Sequence, residues 1–367
     1  MKQKVLFVVN HELDKAGVPT VIMNIVRSLK AEFTFDVLMF TKTEGYYDEE
    51  FLSYGGKIFR ISRKSGLFWD KADYYIRSKR MHKETLKVIK ENGPYAAVHC
   101  NCHLEAGPCL AAAKKAGVKT RIAHIHVCHK DSHIISRMYD AAYRKMINSS
   151  ATHRVGCSAT ACETTFSESA DYTVINNPYD SLKFAFSPLT EPLSSPALIQ
   201  VGSFSDNKNQ LFSLEVVAEI KKTYRDVKFN LVGFDLGNIQ KEIEQRIKDL
   251  GLSNNVRLLP CDADSAALLK TSSGMLFPSK KEGFGLVAVE AQAAGVKCFA
   301  SDTVPSSTDC GGMEYLPLSA GAKYWADRII EDFQKNGGKH ERFDCSAFSA
   351  ENVAEQYSKI YSSRDKG

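Results

Sequence analysis

Short runs of consecutive apolar residues alternate with longer stretches in which apolar residues recur every three or four positions. Val5-Leu6-Phe7-Val8-Val9 is too short for a helix and too continuous for a strand with one wet face, so it reads as a strand buried on both sides. A loop through Ala16-Gly17-Val18-Pro19 and a helix over about 20–30 follow it. Further strands are predicted at 35–40, 57–61, 96–100, 120–125, 151–157 and 172–175, with helices at about 73–91, 105–116 and 134–148. The same alternation restarts at Ala197, with strands at 197–202, 227–233, 256–259, 274–277 and 297–301. Helices are expected over about 210–223, 239–250, 265–271 and up to Ala294, and an amphipathic helix at 349–362 ends the pattern. Strand-helix repetition of this kind predicts two doubly wound parallel sheets, each a Rossmann-like α/β domain. Asn176-Asn177-Pro178 and the Pro/Ser-rich stretch from Ser187 to Pro196 read as their connection, which gives domains over residues 1–185 and 190–345.

The run Phe277-Pro278-Ser279-Lys280-Lys281-Glu282-Gly283-Phe284-Gly285-Leu286-Val287-Ala288-Val289-Glu290 carries the most chemical information. A buried strand stops at Pro278, a glycine-bearing turn opens a helix, and Gly295 ends it. The amides of Gly283, Phe284, Gly285 and Leu286 then lie at a helix N-terminus, where they lack intrahelical partners and the macrodipole favours an anion. Glu290 is placed about two turns further in, on roughly the face of Glu282, where a carboxylate accepts bonds from neighbouring hydroxyls as it does from a ribose. Acid, phosphate-binding amides and acid together describe a sugar-diphosphate-ribose ligand. A second strand-to-helix turn, Val201-Gly202-Ser203-Phe204-Ser205-Asp206-Asn207-Lys208, lies where such folds hold phosphates, and Lys208 supplies a point charge.

The spacing from Glu282 to Glu290 resembles the signature of retaining glycosyltransferases of the GT-B fold, most closely glycosyltransferase family 4 and its bacterial exopolysaccharide and capsule members. The resemblance extends over most of the chain. It implies two Rossmann-like domains facing across a cleft, with the 349–362 helix packing back on the first. It also implies transfer of a hexosyl group from a nucleotide-diphosphate sugar, uridine-linked, to a lipid-linked or soluble glycan. Glu282 then holds the hydroxyls of the transferred sugar, Glu290 the ribose, and Gly283 to Leu286 the sugar and phosphates. Gly17 allows close approach of the first domain's backbone to the donor; the family often has two glycines where this chain has Ala16-Gly17. Ser203 stands where the family usually has arginine. His126, at the end of the strand Arg121-Ile122-Ala123-His124-Ile125, matches a functional histidine that bonds a sugar hydroxyl, with His124 behind it.

Composition narrows this picture. The chain has 367 residues, 44% hydrophobic and 25% charged, which fits a globular enzyme. No segment reaches the roughly 18 apolar residues of a membrane span. No signal peptide is expected, since the first apolar run ends at Asn10 without a small-residue cleavage site. The ten cysteines are then reduced thiols in a cytoplasmic protein. Net charge is +5, divided as roughly +7 over residues 1–180 and roughly −2 beyond. Much of the excess lies between Lys57 and Lys90, at Arg60, Arg63, Lys64, Lys71, Arg77, Lys79, Arg80, Lys83 and Lys87. Phe59, Leu67, Phe68, Trp69, Tyr74 and Tyr75 are interleaved, a mixture that suits either a solvated helix face or an anionic membrane surface. Nucleic acid is not an expected partner.

No cofactor or metal is expected. His99, Cys100, Cys102 and His103, with His124, His126, Cys128 and His129, offer soft ligands without a zinc spacing. Asp262-Ala263-Asp264 precedes a helical run and reads as a cap. Two other functions share the scaffold: a nucleotide-sugar 2-epimerase, and a non-catalytic nucleotide-sugar-binding partner of another transferase.

Overall fold

A computed structural model describes residues 2–62, 71–126, 134–166, 170–189, 191–236 and 238–363 of the chain. Arg63, Lys64, Leu67, Phe68 and Trp69 of the basic stretch, and Cys128 and His129, lie outside the described residues, as do the side chains of Lys71 and Tyr74. The chain forms two compact units, Met1–Pro178 with Ala350–Gly367, and Tyr179–Ser349.

Unit 1 is built on strands β1 (Gln3–Val9), β2 (Phe33–Met39), β3 (Ile58–Arg60), β4 (Ala97–Cys100), β5 (Thr120–Ile125), β6 (His153–Gly156) and β7 (Thr173–Val174). All pair in parallel, in the order β3-β2-β1-β4-β5-β6-β7. Val5 to Val9 of the central β1 are wholly buried, as a strand covered on both faces requires. Its helices are α1 (Gly17–Leu29), α2 (Asp48–Ser53), α3 (Lys71–Asn92), α4 (Ala106–Lys115), α5 (Ile134–Ser150) and α6 (Ala159–Thr165). α4 packs with α3 and α5, whereas α1 packs with the last helix, α12 (Ala350–Ser362). Winding outward from β1 in both directions with right-handed crossovers accounts for these two groups.

Unit 2 repeats the plan with β8 (Ala197–Val201), β9 (Lys228–Gly233), β10 (Val256–Pro260), β11 (Gly274–Phe277), β12 (Cys298–Ser301) and β13 (Met313–Leu316). The order is β10-β9-β8-β11-β12-β13, again all parallel. Helices α7 (Gln210–Lys221), α8 (Gln240–Asp249), α9 (Ser265–Leu269), α10 (Leu286–Ala294) and α11 (Gly321–Asn336) cover it. α11 packs against α7 and puts Trp325 edge-on to Phe212, ring centroids 5.3 Å apart. The Trp325 indole donates to Pro317 O at 3.1 Å, so its one polar atom is satisfied inside the core.

Two features depart from the sequence reading. The first is the junction: the units part between Pro178 and Tyr179, at the end of Asn176-Asn177-Pro178, and the Pro/Ser-rich stretch lies within unit 2. Residues 179–187 belong to unit 2 because they pack there. Gly295 leaves room for the Phe186 ring, the Arg342 guanidinium lies 4.1 Å from that ring's centroid, and Ser187 N donates to Ala294 O. The second is four elements the pattern did not predict: α2, α6, β13 and α11. α11 is the informative omission, because its buried residues Trp325, Ala326, Ile329 and Phe333 carry a helical period. It lacks a start signal: Ala320 precedes it, no side chain caps it, and its first residue is glycine.

Candidate functional site

A sheet wound both ways has a switch point, where loops leaving adjacent strands diverge and open a crevice at the strands' C-terminal ends. In unit 2 it lies between β8 and β11. The two loops there are tied together. Asn207 Nδ2 donates to Lys281 O at 2.9 Å, Lys280 N to Asn207 O at 2.8 Å, and Asn209 Nδ2 to Pro278 O at 3.2 Å. Across this seam Lys208 forms an ion pair with Glu282, and their side chains are only 20% and 10% exposed. The ammonium group also sits 5.3 Å from the centroid of the Phe277 ring. A Cβ at Gly202 would lie 3.5 Å from Lys208 Cε, so the glycine is what the lysine stem lies over.

α10 begins directly beyond. Gly285 has φ of 94°, and a Cβ there would meet the Phe277 ring at 3.1 Å, so both backbone and space require glycine. No side chain caps the helix. Its N-terminal positive end, worth roughly half a charge, follows the loop that leaves β11 at the switch point. The Phe284 ring is buried, edge-on to Phe348 with centroids 5.9 Å apart. It anchors the loop from below, which leaves Phe284 only its main chain to offer a ligand. Ser301 Oγ and Thr303 Oγ1 both donate to Ser279 O, at 2.5 and 2.6 Å, and fix the turn from the other side.

Glu282 lies four residues before Leu286, the first residue of α10, so it does not share a helix face with Glu290, contrary to expectation; the loop places it instead. Glu290 is half-buried in the second turn of α10. Desolvation pushes its carboxyl up to about 8, with Lys183 drawing it down and Asp180 adding to the rise. Ser203 is held through its main chain, its carbonyl accepting from Gln210 Nε2 at 2.9 Å.

Unit 1 has its switch point between β1 and β4. Gly17 is the first residue of α1, after extended Ala16. A Cβ on it would meet nothing within 4 Å, so no neighbour in the chain demands a glycine here. His126 directly follows β5. Its Nε2 lies 2.8 Å from Asn101 Oδ1 and its Nδ1 3.1 Å from Asn177 Oδ1. Burial pushes its imidazole down to about 4; the Asn177 bond opposes this and His11 adds to it. His124 is fully buried, and its ring centroid lies 3.9 Å from that of His126. Behind it, His99 Nε2 is 3.0 Å from His124 Nδ1, Tyr361 Oη is 2.7 Å from His99 Nδ1, and Tyr357 Oη is 3.3 Å from His124 Nε2. Asn101 and Asn177 were not among the expected site residues. Asn177 carries a turn signal, and Asn101 sits in a segment whose Cys and His draw attention to metals.

No group of three or more His, Cys, Asp or Glu among the described residues is arranged to hold a metal. Burial holds Cys100 and Cys102 well above the usual thiol range. Asp264 caps α9, its Oδ1 accepting from Ala266 N and Ala267 N at 3.1 and 3.2 Å.

Residues 183–313 match the family model described as Glycosyl transferases group 1. Over 335 residues the chain is 29% identical to the putative glycosyltransferase EpsF of Bacillus subtilis, covering 86% of this chain and 84% of that one. It is 23% identical to the capsular polysaccharide biosynthesis glycosyltransferase CapH of Staphylococcus aureus, over 96% and 97% of the two chains. Among solved structures, Anabaena HepE in complex with UDP superposes with a TM-score of 0.70 at 18% identity, over 98% of this chain and 96% of that one. The lipopolysaccharide outer core galactosyltransferase WaaB superposes with 0.69 at 16%, over 98% and 99%. The architecture is GT-B, two parallel-sheet α/β domains.

Proposed function

We propose that this glycosyltransferase moves a hexosyl group, with retention, from a UDP-sugar to a glycan in exopolysaccharide or capsule synthesis. CapH, named for capsular polysaccharide biosynthesis, supports the pathway class, EpsF supports the transferase activity, and the solved HepE complexes contain UDP, UDP with glucose, and UDP-glucose. The observation that carries the reading is the Lys208–Glu282 pair at the unit 2 switch point, beside the uncapped N-terminus of α10.

In this reading the main chain from Gly283 to Leu286 and the start of α10 receive the diphosphate, and Lys208 turns from Glu282 toward it. Glu282 is then free to accept from hydroxyls of the transferred sugar, and Glu290 bonds the ribose. These fixed groups, and no divalent cation, stabilise charge on the departing diphosphate. In unit 1, His126 is assigned to a sugar hydroxyl with His124 as its backing, and Gly17 to close approach of the donor. Ser203 provides no positive charge where the resembled family usually has arginine, so Lys208 carries a larger share.

The pair makes the two ends of the ion bridge distinguishable. Alone it is neutral, so removing its members has opposite effects on an incoming anion. Lys208→Ala is expected to weaken UDP binding roughly tenfold to a hundredfold, the loss of one charged hydrogen bond of about 1.5–3 kcal/mol. Glu282→Gln is expected to leave UDP affinity unchanged or higher while transfer falls. Titration calorimetry with UDP, beside a transfer assay, reads both. Equal weakening by the two variants, or no effect of Lys208→Ala, would move the diphosphate elsewhere. Transfer that survives a chelator supports the metal-free reading; loss restored by manganese would end it.

A further inference from the structure

We propose that Asn101 is the positioning residue for His126, holding its imidazole in the Nε2–H tautomer with the Nδ1 lone pair left to accept from a substrate hydroxyl. This rests on the reading that His126 serves the transferred sugar.

Asn101 is buried, and its own backbone N–H donates to Val8 O at 2.8 Å, which pins it between β1 and β4. Its Nδ2 faces His99 O at 3.4 Å. Turning the amide over would bring Oδ1 against that carbonyl oxygen, two acceptors with no proton between them. The main chain of β4 therefore decides that Asn101 Oδ1, which can only accept, faces His126 Nε2 at 2.8 Å. A neutral imidazole has one N–H, and this contact claims it. Asn177 Oδ1 lies 3.1 Å from Nδ1, so an Nε2–H ring requires the Asn177 amide to be turned over, its NH2 then donating to the Nδ1 lone pair. Nδ1 is thus the atom at which a sugar hydroxyl could take the place of Asn177.

The wall behind the ring is a chain of paired groups: Tyr361 Oη with His99 Nδ1, His99 Nε2 with His124 Nδ1, and Tyr357 Oη with the His124 ring, and donation in either direction along it satisfies the contacts. Every imidazole nitrogen in this chain is satisfied with all rings neutral. No proton is left over to pass to His126, whose ring is tilted 39° to that of His124 with the centroids 3.9 Å apart. The groups facing His126 are then His124 from β5, His11 from the loop after β1, the Asn101 and Asn177 amides, and the Cys157 thiol, which donates to the His126 carbonyl at 3.4 Å. None is a carboxylate, so nothing in this set favours an imidazolium.

The test is a long-range proton–nitrogen NMR spectrum of the histidine rings in the labelled full chain. It is paired with kcat and KM for UDP release from whichever of UDP-glucose, UDP-galactose and UDP-N-acetylglucosamine turns over. The unmutated chain is expected to show His126 as Nε2–H; an Nδ1–H ring or an even mixture overturns the proposal without any variant. Asn101→Ala should mix the tautomers and lower kcat on the order of a hundredfold, as loss of orientation does, with KM little changed. Asn101→Asp should raise the pH at which His126 takes up a proton and move the acid limb of the kcat profile with it. A merely structural Asn101 would reduce the folded fraction without moving that limb. An unchanged tautomer in Asn101→Ala also overturns the proposal. If His126→Ala keeps full kcat while the spectrum shows Nε2–H, the role of His126 in transfer fails and the hold exerted by Asn101 stands.

Discussion

At the scale of single residues, Glu290 is the group whose environment and proposed task conflict most. Burial holds its carboxyl at about 8 against 4.5 for an exposed glutamate, with the Lys183 charge offsetting part of that. Between those two values the folded chain keeps a proton that the unfolded chain has released, so Glu290 lowers folding stability as pH rises from about 4.5 to about 8. Glu290→Gln abolishes the titration. Thermal unfolding should find the variant more stable than the parent at pH 8 and level with it near pH 4.5; parallel curves would mean the carboxyl is not desolvated. A neutral Glu290 can also donate one bond and accept another, which suits a pair of ribose hydroxyls. The sequence exposed Glu282 and Glu290 because a strand, a proline, a glycine turn and a helix are all local signals. It did not expose the bond between Lys208 and Glu282, which are 74 positions apart and meet only because β8 and β11 are neighbours. Asn101 and Asn177 were hidden for the same reason: each owes its role to a partner on another strand or loop.

At the scale of elements, two helix-opening glycines make opposite predictions. Gly285 has a left-handed backbone and a ring at 3.1 Å from where a Cβ would be, so Gly285→Ala should cost about 1–3 kcal/mol. Gly17 opens α1 with ordinary backbone and open space. Gly17→Ala should leave the ligand-free chain unchanged or more stable by about 0.4–1 kcal/mol, through the unfolded state. If it nevertheless lowers turnover, the glycine is there for the donor; denaturant midpoints and transfer rates on both variants decide. α3 illustrates how charge alone misleads. Of its basic residues, Arg77 is paired with Glu105 and Lys79 lies over the Tyr75 ring. Exposed Tyr75 and Ile76 still keep an apolar spot beside Lys79 and Arg80. Peripheral membrane contact by this helix is a proposal with a direct check. Lys79, Arg80 and Lys83 replaced by serine should reduce binding to anionic vesicles by about 1 kcal/mol per charge, and Arg77→Ser should cost stability instead. Equal sedimentation with neutral and anionic vesicles at low salt would remove the membrane.

At the scale of the whole molecule, the two units should respond to acid in opposite directions. Unit 1 encloses His99, His124 and His126, all held below the usual histidine range by burial, the last at about 4. Each stays neutral in the folded state and takes up a proton on unfolding once the pH falls below about 6.5. Their contribution is therefore fully present above 6.5 and is lost as pH falls toward 4. Three extra protons bound by the unfolded chain correspond to a slope of up to about 4 kcal/mol per pH unit, a large part of a domain's total stability. α12 is exposed to this loss, because Tyr357 and Tyr361 complete the histidine chain. Unit 2 contains Glu290, whose raised carboxyl makes that unit more stable as pH falls from 8 to 4.5. A single calorimetric transition at pH 8 should accordingly separate into two on acidification, with the lower one moving down and carrying the tyrosine signal of α12. Tyr357→Phe removes the hydroxyl partner of the His124 ring and should bring the lower transition down further, leaving the upper one in place. One transition that moves as a whole between pH 8 and pH 5 would mean that burial does not hold the three histidines neutral.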